Sequence, residues 1–331
     1  MTTTPASGPV VAAVDIGTNS TNLLVVDAGG ATLERLVTVT RLGRGVDARG
    51  VIDDVAATTT LRCIAGYREV WESFGADRVH VVATSGTRDA SNGSAFLDQV
   101  ASVTGSRPEV LSGEREAALA YRGVTASRGG AGSPRGADEW FRGSHLLLDI
   151  GGGSTELVLG GAGADGRPEL AGVHSLDVGA VRLTERHLRG DPPRPEELLN
   201  AIGDVHDALE EATLLDPRLA TPGVVVGCAG TIVTVAAVEI GLAENDRRTL
   251  ESRLDGFRLE RSAIEDVFRT LATESLADRV HNPGLPVDRA DVIVGGLCVL
   301  VALLRRWDAP DLMVSTRGLL DGVCAEISDR T

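Results

Sequence analysis

Leu146-Leu147-Leu148-Asp149-Ile150-Gly151-Gly152-Gly153-Ser154-Thr155-Glu156 repeats, in altered form, an earlier stretch of the chain, Val10-Val11-Ala12-Ala13-Val14-Asp15-Ile16-Gly17-Thr18-Asn19-Ser20. Asp15 and Asp149 stand 134 positions apart. Each copy is an apolar run closing on Asp-Ile-Gly, then small hydroxyl or glycine residues, then a second apolar run (23–26 and 157–159). That pattern predicts strand, tight turn, strand. Such a turn offers N–H groups and hydroxyls to an oxyanion, and an Asp at the strand end can hold a metal ion. Two copies predict two similar lobes gripping one phosphate-bearing ligand between them.

The remaining composition agrees with this reading and removes others. At 331 residues the chain suits two domains, each with its own core. Aromatic residues are only 3%, so those cores must be built from Val, Leu, Ile and Ala. A net charge of −15 argues against broad nucleic-acid binding, which needs a cationic footprint. A polyanionic ligand would therefore need a local arginine cluster or a metal ion. The chain has no lysine; all 32 cationic side chains are arginine. That excludes a P-loop and Schiff-base chemistry, while arginine still binds phosphate bidentately. Cys63, Cys228, Cys298 and Cys324 show no paired spacing, so free thiols in a reducing cytoplasm are expected. Residues 1–10 have no basic region or long apolar run, so no signal peptide is expected. The longest apolar stretch, 292–304, is shorter than the roughly 20 residues of a membrane span.

Periodicity predicts a hairpin over 10–27, a strand over 33–40, a helix over 53–74 and a strand over 78–83. A helix over 94–104 and a short strand over 108–111 follow, then a helix capped by Ser112. Residues 126–143, rich in Gly, Ser and Arg, read as a flexible surface loop. Beyond it, helices are expected over 181–189, 195–215, 232–240, 262–271, 290–304 and 319–327, with strands at 224–226 and 312–314. The expected division is a first lobe 1–125, the loop 126–143 and a second lobe 144–331. The last helix, about 317–328, has the option of packing back on the first lobe. The class is mixed α/β in two related lobes.

Candidate site residues each have a plain structural alternative. Asp15 and Asp149 read as Mg²⁺ ligands, against simple Asx caps of their turns. Gly17, Thr18, Asn19 and Ser20, with Gly151, Gly152, Gly153, Ser154 and Thr155, read as phosphate-binding turns, against ordinary hairpin chemistry. Glu116 shares a helix face with Leu119, Ala120 and Gly123. A carboxylate on so apolar a face needs a partner or a task. Partial desolvation would raise its pKa above about 4.3, as a general base requires. Spacing alone leaves that role and an ion pair with arginine equally open. Glu114 fits a first-turn role against the helix dipole. Glu156 reads equally as a water- or metal-orienting carboxylate and as a solvent-facing strand residue. Arg88 follows Thr84-Ser85-Gly86-Thr87 at a strand end; an ordinary surface arginine is the plainer reading there, as it is for Arg41. His206-Asp207 lacks further ligands for a metal-dependent HD-type site.

Taken together these motifs resemble the exopolyphosphatase/guanosine pentaphosphate phosphohydrolase (Ppx/GppA) family. The resemblance rests on Asp15-Ile16-Gly17-Thr18-Asn19-Ser20, Thr84-Ser85-Gly86-Thr87-Arg88-Asp89-Ala90, Ser112-Gly113-Glu114-Arg115-Glu116-Ala117 and Asp149-Ile150-Gly151-Gly152-Gly153-Ser154-Thr155-Glu156-Leu157. Residues 179–184, Asp191-Pro192-Pro193, Gly230-Thr231, Arg289-Ala290-Asp291 and residues 315–322 extend it. The resemblance implies two ribonuclease-H-like lobes of the actin/sugar-kinase/heat-shock ATPase superfamily, with the active site in an interlobe cleft. It implies that Glu116 is the base that activates water, that Asp149 and Asp15 hold metal, that Glu156 is a second essential carboxylate and that Arg88 contacts phosphate. The implied reaction is Mg²⁺-dependent release of orthophosphate from polyphosphate, with Mn²⁺ and a monovalent cation as further candidates. Hydrolysis of pppGpp to ppGpp is the same chemistry on a nucleotide. A fold-related kinase and a non-catalytic polyphosphate or alarmone sensor are the rivals from other classes. A cytoplasmic homodimer, with no nucleic-acid or membrane partner, completes the expectation. The family often carries a basic residue in the first hairpin where this chain has Asn22.

Overall fold

The computed structural model describes residues 8–126, 140, 141, 143–164, 166–242 and 247–329. Its contacts divide the chain into two units, Met1–Ala126 with Leu319–Thr331, and Ser127–Gly318. Most of the expected loop 126–143 lies outside the described residues. The last helix groups with the first unit, which is the option the sequence left open for it.

In the first unit, β1 (Val11–Ile16) and β2 (Ser20–Val26) form the expected hairpin, pairing Val11 with Val26 and Ile16 with Thr21. Strand β3 (Thr32–Val39) adds antiparallel to β2. A short helix α1 (Val46–Arg49) and the long helix α2 (Asp54–Ser73) follow. Asp53 caps α2 by accepting from the N–H groups of Val55 and Ala56. Strand β4 (Arg78–Ala83) runs parallel to β1. After it come α3 (Ser85–Arg88), α4 (Gly93–Thr104), β5 (Glu109–Val110) and α5 (Gly113–Thr125). The sheet order is β3-β2-β1-β4-β5.

The second unit repeats this plan. Strands β6 (His145–Ile150), β7 (Thr155–Ala162) and β8 (Pro168–Leu176) form the antiparallel half. Helices α6 (Ala180–His187) and α7 (Pro195–Leu215) lead to β9 (Val224–Cys228), parallel to β6. Then come α8 (Ala229–Glu239), α9 (Arg247–Leu254), β10 (Arg258–Glu260), α10 (Arg261–Thr273), α11 (Leu276–Arg279), α12 (Ile293–Arg306) and β11 (Asp311–Val314). The order is β10-β11-β9-β6-β7-β8. Apart from the extra edge strand β10, both sheets share one order and one antiparallel second strand, so both lobes are ribonuclease-H-like. The sequence reading missed β8 and β10. The first is an exposed edge strand opened by Pro168 and interrupted by Gly172, which hides its alternation.

Both faces of the first sheet are covered, which is why β1 reads as a continuous apolar run. Alternate residues Ala12, Val14 and Ile16 pack with Ile64, Trp71 and Phe96. Val11 and Ala13 face the other way, toward Leu119 of α5 and Val323 of α13 (Leu319–Asp329). Asp15 shares parity with Val11 and Ala13, so its side chain points to the face that carries α5. The apolar stretch at 292–304 becomes α12, buried in the second core. Among the described residues no helix is long and apolar enough to cross a membrane.

Candidate active site

Within each unit the sequence-derived site residues lie at or beside the carboxyl ends of the parallel strands, where open α/β sheets bind ligands. In the first unit these ends are Ile16 of β1, Ala83 of β4 and Val110 of β5, adjacent in the sheet register. The turn after β1 closes with Gly17 N–H donating to the Ser20 carbonyl at 2.9 Å. Its equivalent 134 positions on, Gly151 N–H to the Ser154 carbonyl, measures 3.0 Å. The repeat is therefore preserved at the level of single hydrogen bonds.

The carbonyls of both turns are held from outside. In the first, the Thr18 carbonyl accepts from Gly43 N–H at 2.8 Å, and the Asn19 carbonyl accepts from Thr40 and Arg41 N–H. In the second, the Gly151 carbonyl accepts from Ala180, and the Gly152 carbonyl from Val181 and Arg182 at the start of α6. Arg182 Nε adds a bond to the Gly153 carbonyl at 2.7 Å. Gly179 makes this docking possible, because a Cβ there would lie 2.6 Å from the Gly152 carbonyl oxygen. The N–H groups differ. Among the described residues those of Thr18 and Asn19, and equally those of Gly152 and Gly153, donate to no protein acceptor. Turns with tethered carbonyls and undirected N–H groups are suited to phosphoryl oxygens.

The hydroxyls are less available than the sequence suggests. Thr155 is fully buried and donates to the Val178 carbonyl at 2.6 Å, so its side chain anchors the turn. Thr18 Oγ1 shares a 3.0 Å hydrogen bond with Ser85 Oγ, tying the first turn to the loop after β4. Arg88, in that loop, donates from Nη1 to the Leu111 carbonyl at 2.9 Å and lies 3.5 Å from Asp89. Leu111 precedes Ser112, whose Oγ accepts from Arg115 N–H and caps α5. Glu116 is half-buried on α5, beside buried Ala117, Leu119 and Ala120, whereas Glu114 is exposed in the first turn. His206 and Asp207 are exposed on α7.

In the second unit Asp149 at the end of β6 stands directly opposite Glu156 on β7. Glu156 is 1% exposed, not solvent-facing, and accepts from Ser175 Oγ at 3.0 Å. Asp149 is flanked on its other side by Cys228, whose thiol hydrogen-bonds to it. Burial pushes the Asp149 carboxyl up to about 6, a shift the thiol only partly opposes. The first-lobe counterpart, Asp15, accepts from Asn22 Nδ2 at 2.9 Å. Sequence reasoning gave no role to Ser85, Ser175, Arg182 or Cys228; the signal for Ser175 and Cys228 is register, invisible before strand pairing is known, and for Ser85 and Arg182 it is the tertiary contact each makes with a turn. Arg289, quoted in the resemblance but given no role there, lies against Gly230 after β9 with its guanidinium pushed down by burial.

Hard oxygen donors and a carboxyl destabilised by desolvation suit a divalent cation such as Mg²⁺. Among the described residues no group of three or more His, Cys, Asp or Glu is arranged to hold a metal. Mg²⁺ needs only one or two carboxylates, with waters and substrate phosphates completing its shell, so Asp149 and Glu156 fit it.

Comparison with known proteins agrees with this geometry. The profile of the Ppx/GppA phosphatase family matches residues 24–331. The chain belongs to the Ppx/GppA phosphatase family. Exopolyphosphatase 2 of Mycobacterium tuberculosis is 35% identical over 96% of this chain and 98% of its own length. A guanosine-5'-triphosphate,3'-diphosphate pyrophosphatase of Vibrio cholerae is 28% identical over 97% of this chain but only 60% of its own. The crystal structure of an exopolyphosphatase from Cytophaga hutchinsonii superposes with a TM-score of 0.83 at 25% identity, covering 97% of this chain and 98% of that one. The Ppx/GppA fold is thus common to sequence and structure.

Proposed function

We propose that the protein is an exopolyphosphatase that removes terminal orthophosphate from inorganic polyphosphate with the help of Mg²⁺. The observation that carries this is the pair of equivalent turns, each with two N–H groups that donate to no acceptor among the described residues. The relative from Mycobacterium tuberculosis supports this substrate, since the likeness runs the length of both chains. In this reading the N–H groups of Thr18, Asn19, Gly152 and Gly153 receive phosphoryl oxygens, and Arg88 adds a cationic contact. Asp149 and Glu156 would hold the cation in the second lobe, and Asp15 is the equivalent carboxylate of the first. When bound, Mg²⁺ neutralises phosphoryl charge on a protein whose own charge is −15. Glu116 accepts a proton from water as the water oxygen bonds to the terminal phosphorus. The bridging P–O bond breaks, and the shortened chain leaves with that oxygen.

Hydrolysis of pppGpp is the second reading, supported by the Vibrio cholerae relative. Phosphate release with Mg²⁺ on short polyphosphate, long polyphosphate, pppGpp and ATP separates the two. Release from polyphosphate in preference to pppGpp is expected. Release from pppGpp alone moves the assignment to the nucleotide, and silence on all four favours a sensor or a kinase.

A further inference from the structure

Asp149 sits within a row that crosses four strands of the second sheet: Ser175 on β8, Glu156 on β7, Asp149 on β6 and Cys228 on β9. Residues directly opposed across strands project to the same face. The row is therefore a line of four side chains, and its outer members donate to its inner ones. Ser175 Oγ donates to Glu156 Oε1 at 3.0 Å, and the Cys228 thiol donates to Asp149.

The first lobe supplies an internal comparison. Its equivalent row reads Val37, Asn22, Asp15 and Val82. Where two carboxylates are neighbours, both flanking positions carry a hydrogen-bond donor. Where one carboxylate is exchanged for an amide, both flanks are valine, and the amide itself donates to Asp15 at 2.9 Å. Adjacent buried carboxylates repel and are poorly solvated, so they need donors and a cation to stay ionised. Donors that fix ligand carboxylates from outside typically contribute about 10–100-fold in metal affinity.

We propose that Ser175 and Cys228 are positioning residues that orient Glu156 and Asp149 toward a divalent cation. The inference rests on the reading of those two carboxylates as cation ligands. Mn²⁺ is the probe, its binding to the substrate-free protein followed by electron paramagnetic resonance. Ser175→Ala, Cys228→Ala and Cys228→Ser are compared with wild type and with Asp149→Asn. Both alanine variants should weaken Mn²⁺ binding about 10–100-fold, Cys228→Ser should stay near wild type because it keeps a donor, and Asp149→Asn should lose binding. Ser175 is exposed on an edge strand, so its variant tests the idea even if a change at buried Cys228 disturbs folding. Wild-type Mn²⁺ affinity in both alanine variants, with binding lost in Asp149→Asn, overturns the positioning roles and leaves the ligand reading standing. Unchanged binding in Asp149→Asn overturns both.

Discussion

Thr155 shows how a motif can be right while one of its members serves another purpose. Its hydroxyl is committed to the Val178 carbonyl in a fully buried setting. Thr155→Val should therefore cost about 1–3 kcal/mol of stability, by stranding a buried carbonyl, and leave KM for polyphosphate unchanged. Urea denaturation and steady-state kinetics check the two halves; a raised KM at full stability would return Thr155 to the ligand. His145 gives a pH signature. It opens β6, fully buried, and its Nδ1 is 2.9 Å from the Gly143 carbonyl. Burial pushes its pKa below the usual 6.5. Between the lowered value and 6.5 the unfolded chain binds more protons than the folded one, so stability rises with pH through that window and is level above it. His145→Asn should flatten this part of the curve, measured as unfolding free energy against pH from the acid side to neutrality. Asp15, Asp149 and the glycine turns were legible because a repeat was visible in one chain. Ser175 and Cys228 were not, because a serine or cysteine has no meaning until a strand partner is assigned.

At the scale of elements, α13 closes the first sheet by lying on β1 and α5. The two helices approach so closely that a Cβ on Gly322 would sit 1.9 Å from the Leu119 carbonyl oxygen. Gly322→Ala should lower stability by about 1–3 kcal/mol through overpacking, read as a fall in Tm; an unchanged Tm would mean the helices can part without cost. Helices were the most legible elements. Pro195–Leu215 was placed to the residue, since a proline opens it and its apolar stripe is regular. Edge strands were the least legible: β8 is half exposed, and β10 has three residues, too few for an alternating pattern to declare itself. The partnership of α13 was left open by the sequence, because an amphipathic helix shows which face it buries but not against what.

For the molecule as a whole, the net charge of −15 sets the long-range field. On the proposed reading, a polyanion would be repelled until it reached the turn N–H groups, Arg88 and the cation. Screening should therefore help encounter: kcat/KM for long polyphosphate should rise with tetramethylammonium chloride at fixed Mg²⁺. A steep fall with salt would instead reveal a cationic track outside the site described. The duplicated lobe plan explains why so much of the fold was legible, for a single hairpin pattern found twice specifies both sheets. It also shows where the copies diverged, with Glu156 in one lobe and Asn22 in the other at the same register position. The central claim is that Glu116 activates water for Mg²⁺-dependent attack on a terminal phosphoanhydride. Its most direct test is orthophosphate release from a short polyphosphate by wild type and by Glu116→Gln, with polyphosphate binding and Tm measured alongside. The account predicts kcat lower by about 10²–10⁴-fold with binding and Tm retained; turnover near the wild-type rate in Glu116→Gln would contradict it.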